Sequence, residues 1–168
     1  QEITTATSFN GSQDRYYRAL AQLEYLKVQR AINDRSLSPE ERTSRFQNAY
    51  NAGLRFAREA YELNKNDAAN SRILGQIYEL AIPIDPDKSN LALESYMRAR
   101  DLSPADPTIF VDIARVYLAR GDVMILRGGG TTSQKLAAQE RSKAVEYLVK
   151  ATELKPDYAQ ANFTLSQL

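Results

Sequence analysis

The chain has no cysteine and no histidine among its 168 residues. Without cysteine it can form no disulfide and offers no thiol nucleophile and no thiolate metal ligand. Without histidine it lacks imidazole ligands and the side chain most often used for proton transfer near neutral pH. The sequence therefore predicts no cofactor and no metal site, and it directs attention to binding rather than to chemistry.

Long apolar runs and an excess of one charge are also missing. No stretch approaches 18 consecutive apolar residues, so the sequence predicts no membrane insertion. Its 22 basic and 21 acidic residues nearly cancel, which predicts no binding to nucleic acid. The acidic pairs Asp85/Asp87 and Glu40/Glu41 belong to a turn and to a helix-capping signal, so neither predicts a catalytic site. We expect a protein without enzymatic activity.

A short phrase occurs three times, at residues 58–65, 98–104 and 150–156. Each copy has an alanine followed three positions later by a leucine, and two copies have a proline two positions further on. Repetition of this kind is typical of proteins that stack one helical unit on the next.

Apolar spacing and helix-end signals predict an all-α fold. The clearest signal is Ser38-Pro39-Glu40-Glu41, in which Ser38 is the N-cap, Pro39 opens the helix and Glu41 completes a capping box. Residues 1–13 are rich in Thr, Ser and Asn and predict an extended, flexible N-terminal arm. A single helical domain over 14–168 follows, with helices at about 14–35, 38–64, 68–82, 88–103, 107–127, 133–155 and 158–168.

The order of large and small residues within these helices resembles the tetratricopeptide repeat family. First helices of that family carry a bulky residue, a small residue and a tyrosine, and second helices carry Ala, an aromatic or large residue, Ala and then Pro. The matching positions are Leu74-Gly75…Tyr78 and Phe110…Ile113-Ala114…Tyr117, then Ala92…Tyr96…Ala99…Pro104 and Ala144…Leu148…Ala151…Pro156. The resemblance implies a right-handed α-solenoid of helix-turn-helix repeats that binds other proteins.

The repeat spacing is interrupted twice. Tyr78 and Tyr117 are 39 residues apart, five more than the period of about 34, and the extra residues predict a proline-stiffened turn over 82–87. Eighteen extra residues separate Ala99 from Ala151 and predict an elongated helical hairpin with a glycine hinge at 128–130. Its apolar residues are either a hydrophobic handle for a partner or the seam of its own two helices: Val123, Met124, Ile125 and Leu126.

The resemblance also implies a binding groove, because the inner face of such solenoids is built from first-helix residues between the packing positions. Here those residues are Arg72, Gln76, Glu79, Thr108, Val111, Asp112, Arg115 and Leu118. The alternative for each is an ordinary solvated helix face. Arg72 and Arg115 are candidates to bind a partner's carboxylates. The family's carboxylate clamp is not reproduced, because Asp112 stands where a basic side chain is required.

A second resemblance is narrower. Residues 14–23, Leu63-Asn64 and Leu74-Gly75…Tyr78 resemble the extracytoplasmic repeat tails of bacterial O-antigen ligase-like membrane proteins. It implies a scaffold outside the cytoplasm, with catalytic and membrane parts elsewhere. If the protein is exported, Asn10 or Thr4, Thr5 and Thr7 are candidates for glycosylation.

The alternative function is structural. Residues 158–168 resemble the first half of a further repeat, whose apolar side chains require a cover. If they dock on the first helix of another copy, the subunits self-associate head to tail into a filament or ring. The residues predicted for this contact are Tyr16, Tyr17, Leu20, Leu23, Phe163, Leu165 and Leu168.

Overall fold

A computed structural model describes the backbone of residues 2–168 and the side chains from Gln13 onward. These residues form seven α-helices and, within that range, no β-strand. The prediction of an all-α fold is therefore confirmed. The helices are α1 (Glu2–Asn33), α2 (Pro39–Leu63), α3 (Ala68–Leu80), α4 (Lys88–Leu102), α5 (Pro107–Gly128), α6 (Gly130–Leu154) and α7 (Ala159–Ser166).

The N-terminal segment differs from its prediction. An extended arm was expected over 1–13, whereas α1 begins at Glu2. No proline interrupts this segment, and its Thr, Ser and Asn residues are only mildly unfavourable in a helix. Helical hydrogen bonding can therefore continue back from the apolar stripe that begins at Tyr16. The candidate glycosylation residues Asn10, Thr4, Thr5 and Thr7 lie outside the residues whose side chains the structure describes.

Helix starts follow the capping signals of the sequence. The Ser38 hydroxyl accepts a hydrogen bond from the Glu41 backbone N–H, and the Glu41 carboxylate accepts one from the Ser38 N–H, which completes the predicted capping box. Asp106 caps α5 through the Thr108 N–H, with Pro107 in the first turn. These bonds satisfy backbone donors that a helix leaves unpaired at its N-terminus.

Helices that follow one another in the chain pack together, and α1, α3 and α5 are also in contact in that order. The core contains alanines that are completely buried, which let neighbouring helix backbones approach closely. Large side chains fill the remaining space, among them Ile77, Tyr96, Ile113 and Leu148. Gly75 shows how tight the packing is, because a Cβ at this position would lie 2.7 Å from the Tyr96 ring.

The contact between α1 and α3 is polar. Asp14 and Asn70 are both buried, and the Asn70 amide donates to Asp14 Oδ2 over 2.9 Å. Asn64 donates to the same carboxylate oxygen over 3.3 Å. Nearby, Arg18 donates to Asp67 Oδ2 over 2.5 Å and to Asn70 Oδ1 over 2.9 Å. We refer to these five residues as the α1–α3 junction.

The elongated hairpin consists of α5 and α6, of 22 and 25 residues. It breaks at Gly129, whose φ of 58° is a backbone conformation that favours glycine. At the end of α5, Arg127 donates hydrogen bonds to the carbonyl oxygens of Pro83 and Ile84, over 3.2 and 3.0 Å. The tip of this hairpin is thereby attached to the turn between α3 and α4.

Candidate binding face

Four of the eight predicted groove residues meet between α3 and α5. Arg72 Nε lies 2.5 Å from Asp112 Oδ2. Arg115 binds Glu79 through two parallel hydrogen bonds of 2.8 Å and approaches Asp112 Oδ1 to 2.9 Å. We call these four residues the α3–α5 charge network. It joins residues separated by 36 and 40 positions and thus holds two alternate helices side by side.

Tyr96 of α4 forms a hydrogen bond to the network. Its completely buried ring carries a hydroxyl that donates to Glu79 Oε2 over 2.6 Å. Burial, together with the charge of Glu79, raises the pKa of Tyr96 well above its ordinary value, so the hydroxyl keeps its proton. The Glu79 carboxylate is therefore fixed by Arg115 on one side and by Tyr96 on the other.

The charged side chains of the network compensate one another. Burial raises the pKa of Asp112 in spite of the two guanidinium groups, because only 2 % of its side chain is exposed. Burial opposes the charge of Arg115, but the bonds to Glu79 and the charge of Asp112 outweigh it and raise the pKa of Arg115. Two positive and two negative charges cancel. Arg72 and Arg115, predicted to receive a partner's carboxylates, already have carboxylates of their own.

The other four predicted groove residues are not equivalent. Gln76 and Leu118 are half-buried, and Leu118 packs against the core. Thr108 is also half-buried, and its hydroxyl donates to Asp106 at the start of α5. Val111 is 1 % exposed, so its side chain belongs to the core and does not line a groove. Its neighbours on α5 are buried as well, so the position that the family resemblance implies for a groove residue lies in the interior here.

Two tyrosines outside the predicted groove lie close enough to the network for its charges to act on them. Tyr25 of α1 is half-buried, and burial raises its pKa while the charges of Arg115 and Glu79 act on its hydroxyl in opposite directions. Burial also raises the pKa of Tyr158, just before α7, and the Asp112 charge adds to the effect. Tyr25 lies seven residues after Arg18, which already contacts α3, so helical periodicity places both on one face of α1. The sequence alone gave no signal for it, because the contact of Arg18 with α3 is seen only in the structure.

The residues predicted for self-association divide into exposed and packed sets. Tyr17 stacks on Phe56 of α2 with ring centroids 6.2 Å apart, Leu20 is half-buried, and Leu165 packs against the core. The apolar side chains that remain exposed are Tyr16 and Leu23 on α1 and Phe163 and Leu168 at the other end of the chain.

The hairpin residues are divided in the same way. Val123 is buried and joins the core, and Met124 is half-buried. Ile125 and Leu126 are exposed, Leu126 to 83 %. The first two residues therefore form a seam inside the molecule. The last two leave a small apolar surface near the hairpin tip.

Among the described residues, no group of three or more Asp and Glu side chains is arranged to hold a metal ion. No helix in the same range combines the length and apolar character needed to cross a bilayer.

Against known proteins, the chain matches no family model and no curated protein.

Proposed function

We propose that the chain is a non-catalytic protein-binding module, a right-handed solenoid of tetratricopeptide-like repeats whose ligand lies along the face shared by α1, α3 and α5. The observation that carries the proposal is the α3–α5 charge network. Its four residues were assigned to one face from the family resemblance, and they are paired directly across α3 and α5. The contacts of α1 with α3 and of α3 with α5 give the order of first helices that such a face requires.

The charge balance of this face bears on its ligand. Because the network neutralises itself, it offers no uncompensated cation for a peptide carboxylate, in agreement with the missing carboxylate clamp. Tyr25 and Tyr158 have half-buried rings and lie within the electrostatic reach of the network, and Gln76 adds an amide between Arg72 and Glu79 along α3. Tyrosine contributes apolar area together with a hydrogen-bonding hydroxyl. We therefore propose a peptide segment bound through aromatic and amide contacts rather than through its terminal charge.

Peptides selected from a display library against the purified chain test the proposal. Gln76→Arg places an uncompensated charge on the face and is expected to weaken selected peptides about tenfold or more. Glu94→Arg, on the exposed side of α4, is the matched control and leaves affinity unchanged. Circular dichroism verifies that both variants are folded. Peptides whose affinity responds to Glu94→Arg and not to Gln76→Arg contradict the proposed face.

The second resemblance adds a location to this proposal: an extracytoplasmic scaffold of a bacterial membrane protein, attached to parts that lie outside this sequence. Accessibility of the natural protein to a protease added to intact cells distinguishes an extracytoplasmic module from a cytoplasmic one.

The alternative function is a structural subunit that self-associates head to tail. The exposed apolar side chains of the two end helices favour it: Tyr16, Leu23, Phe163 and Leu168. Such a contact is heterologous and produces a filament or a ring. Light scattering after size-exclusion chromatography is expected to show assemblies that Phe163→Asp disrupts. Leu126→Asp, at another exposed apolar site, is the control and leaves them intact. A monomer at high concentration rejects this alternative.

A further inference from the structure

An apolar cleft lies where the end of α1, the first half of α2 and the turn after α3 meet, and none of its lining residues belongs to the α3–α5 charge network. Its volume is about 640 Å³, within the range of small-molecule sites. We call it the α2–α3 notch. The larger apolar side chains that line it are Ile32, Phe46, Tyr50, Leu80 and Ile84.

The notch results from unequal helix lengths. At 1.5 Å per residue, α2 with its 25 residues is about 37 Å long and α3 with 13 residues about 20 Å. The helices are joined by a short connection at the C-terminal end of α2, so α3 leaves the first half of α2 uncovered. Phe46 and Tyr50 lie on this half, one helical turn apart, with rings stacked 5.8 Å between centroids. Across the notch, Ile84 is 66 % exposed.

Two polar groups of the notch lack partners. Tyr50 Oη and Arg42 Nε are buried, and among the described residues neither has a hydrogen-bond partner. Arg42 Nη2 donates only to the backbone carbonyls of Asp34 and Leu37, over 3.3 and 3.4 Å. Lys88, by contrast, pairs with Asp85 over 3.0 Å. Buried polar groups are nearly always paired, so two unsatisfied groups beside one apolar cleft indicate a missing acceptor.

The charges agree with this conclusion. Of the three charged residues that line the notch, Lys88 and Asp85 cancel. Arg42 remains, with no carboxylate of the described part of the chain paired to it. An occupant that complements this site has an apolar body and one negative charge.

We propose that the α2–α3 notch binds a small amphipathic anion, an aliphatic or aromatic body bearing one carboxylate or sulfonate group. The apolar body lies between Phe46, Tyr50 and Ile84 and removes their surfaces from water. A rotation of the flexible Arg42 side chain turns its Nε towards the anionic oxygens, which accept a hydrogen bond from it and from the Tyr50 hydroxyl. This site is independent of the proposed peptide-binding face.

Two probes of this chemistry test the site. The fluorescence of 1-anilinonaphthalene-8-sulfonate is expected to rise on binding to the folded chain, and octanoate is expected to displace the dye. Octanol and octylamine have the same aliphatic body without the negative charge, and we expect them to compete about tenfold more weakly than octanoate.

Substitutions show where the probes bind, and they separate the contribution of apolar contact from that of the anionic group. Ile84→Ser changes an exposed side chain and is expected to weaken both probes about tenfold by removing apolar contact. Tyr50→Phe and Arg42→Gln are expected to weaken octanoate several-fold and to leave octanol unchanged. Leu91→Ser and Arg98→Gln, in a separate cleft beside α4, are the matched controls and leave every titration unchanged. Circular dichroism verifies that each variant is folded. If Arg42→Gln unfolds the chain by removing the contacts of Arg42 with the two backbone carbonyls, the affinity of Tyr50→Phe for octanoate decides whether the anionic group binds here.

Three results overturn the proposal: no dye binding by the folded wild-type chain, dye binding that Ile84→Ser leaves intact, or equal competition by octanoate, octanol and octylamine. The last result excludes the anionic group even if the notch holds an apolar molecule.

Discussion

The α1–α3 junction joins α1 to α3, and the α3–α5 charge network joins α3 to α5. Each contains an arginine–carboxylate pair of 2.5 Å, but they bury different groups. In the first, Asp67 keeps 27 % of its side chain exposed, and in the second Asp112 keeps 2 %. The Arg18 bond lowers the pKa of Asp67 against the effect of burial, whereas burial raises the pKa of Asp112 in spite of two arginines. The same pair of residue types thus stabilises one junction and only compensates a buried charge in the other.

The α1–α3 junction instead buries Asp14 and Asn70. The amide groups of Asn70 and Asn64 both donate hydrogen bonds to the Asp14 carboxylate. Neutral donors satisfy the charge without placing a second charge in the interior. The network between α3 and α5 uses guanidinium groups for the same purpose, and its stability therefore depends on keeping positive and negative groups matched.

The largest expected difference between the junctions comes from removing one arginine from each. Arg115→Met leaves Glu79 and the buried Asp112 undercompensated and is expected to lower the free energy of unfolding by about 3 kcal/mol. Arg18→Met breaks a single, partly exposed pair and is expected to cost about 1 kcal/mol. Urea unfolding followed by circular dichroism measures both losses.

A double variant sharpens this test. Adding Glu79→Gln to Arg115→Met removes one of the stranded charges and is expected to recover part of the lost stability. Equal losses in the two single variants are the result that contradicts the contrast between the junctions.

A smaller difference is expected between alanine substitutions at Gly75 of α3, which packs against Tyr96, and at Gly53 of α2, which packs against Ile77 and Glu24. In Gly75→Ala the new Cβ meets the Tyr96 ring at 2.7 Å, and Tyr96 is held both by the core and by Glu79. We expect a loss of about 2 kcal/mol from overpacking. In Gly53→Ala the new Cβ meets the end of the Ile77 side chain at 3.0 Å, which can move, and Glu24 Cβ of α1 at 3.2 Å, which gives less readily. The gain in helix propensity, about 1 kcal/mol, then offsets part of the strain.

Thermal unfolding of the two glycine variants gives the comparison directly. If Gly53→Ala is as destabilising as Gly75→Ala, the packing around Gly53 is as rigid as the packing around Gly75.

The smallest expected effect is on the pH dependence of the unfolding free energy, to which Asp112 and Asp67 contribute with opposite sign. The folded-state pKa of Asp112 is raised, so its contribution to stability is fully present below its ordinary pKa of 3.8 and is lost as the pH rises through the raised value. The pKa of Asp67 is lowered, so its contribution is present above 3.8 and is lost as the pH falls through the lowered value. Unfolding free energies between about pH 3 and pH 7 test both, for the wild type, Asp112→Asn and Asp67→Asn.

The advantage of the wild type over Asp112→Asn is expected to grow as the solution is acidified, and its advantage over Asp67→Asn to shrink. Parallel pH profiles for the two variants contradict the assignment.

The sequence predicted the helices better than it predicted the contacts between them. Ser38 and Asp106 correctly predicted where their helices begin, because capping is a local interaction among a few neighbouring residues. The residues of the α3–α5 charge network were assigned to one face, but their pairing was not predicted. It links positions 36 and 40 apart, so it depends on how the turn over residues 81–87 orients the following helices.

The buried polar groups of the α1–α3 junction left no signal in the sequence. Asp14 has the residue type of an exposed helix-start residue, and its burial depends on donors that lie 50 and 56 positions further along the chain. A local pattern cannot predict that such donors will be present. The tetratricopeptide assignment rests on the spacing of large and small residues and stays a prediction.

Arg127 gives the hairpin of α5 and α6 a mechanical connection to the rest of the chain. Its guanidinium group holds two carbonyl oxygens of the turn after α3, and Ile84 of that turn forms one wall of the α2–α3 notch. A displacement of the hairpin tip is therefore transmitted to this turn directly, through the two hydrogen bonds of Arg127, without passing through the core.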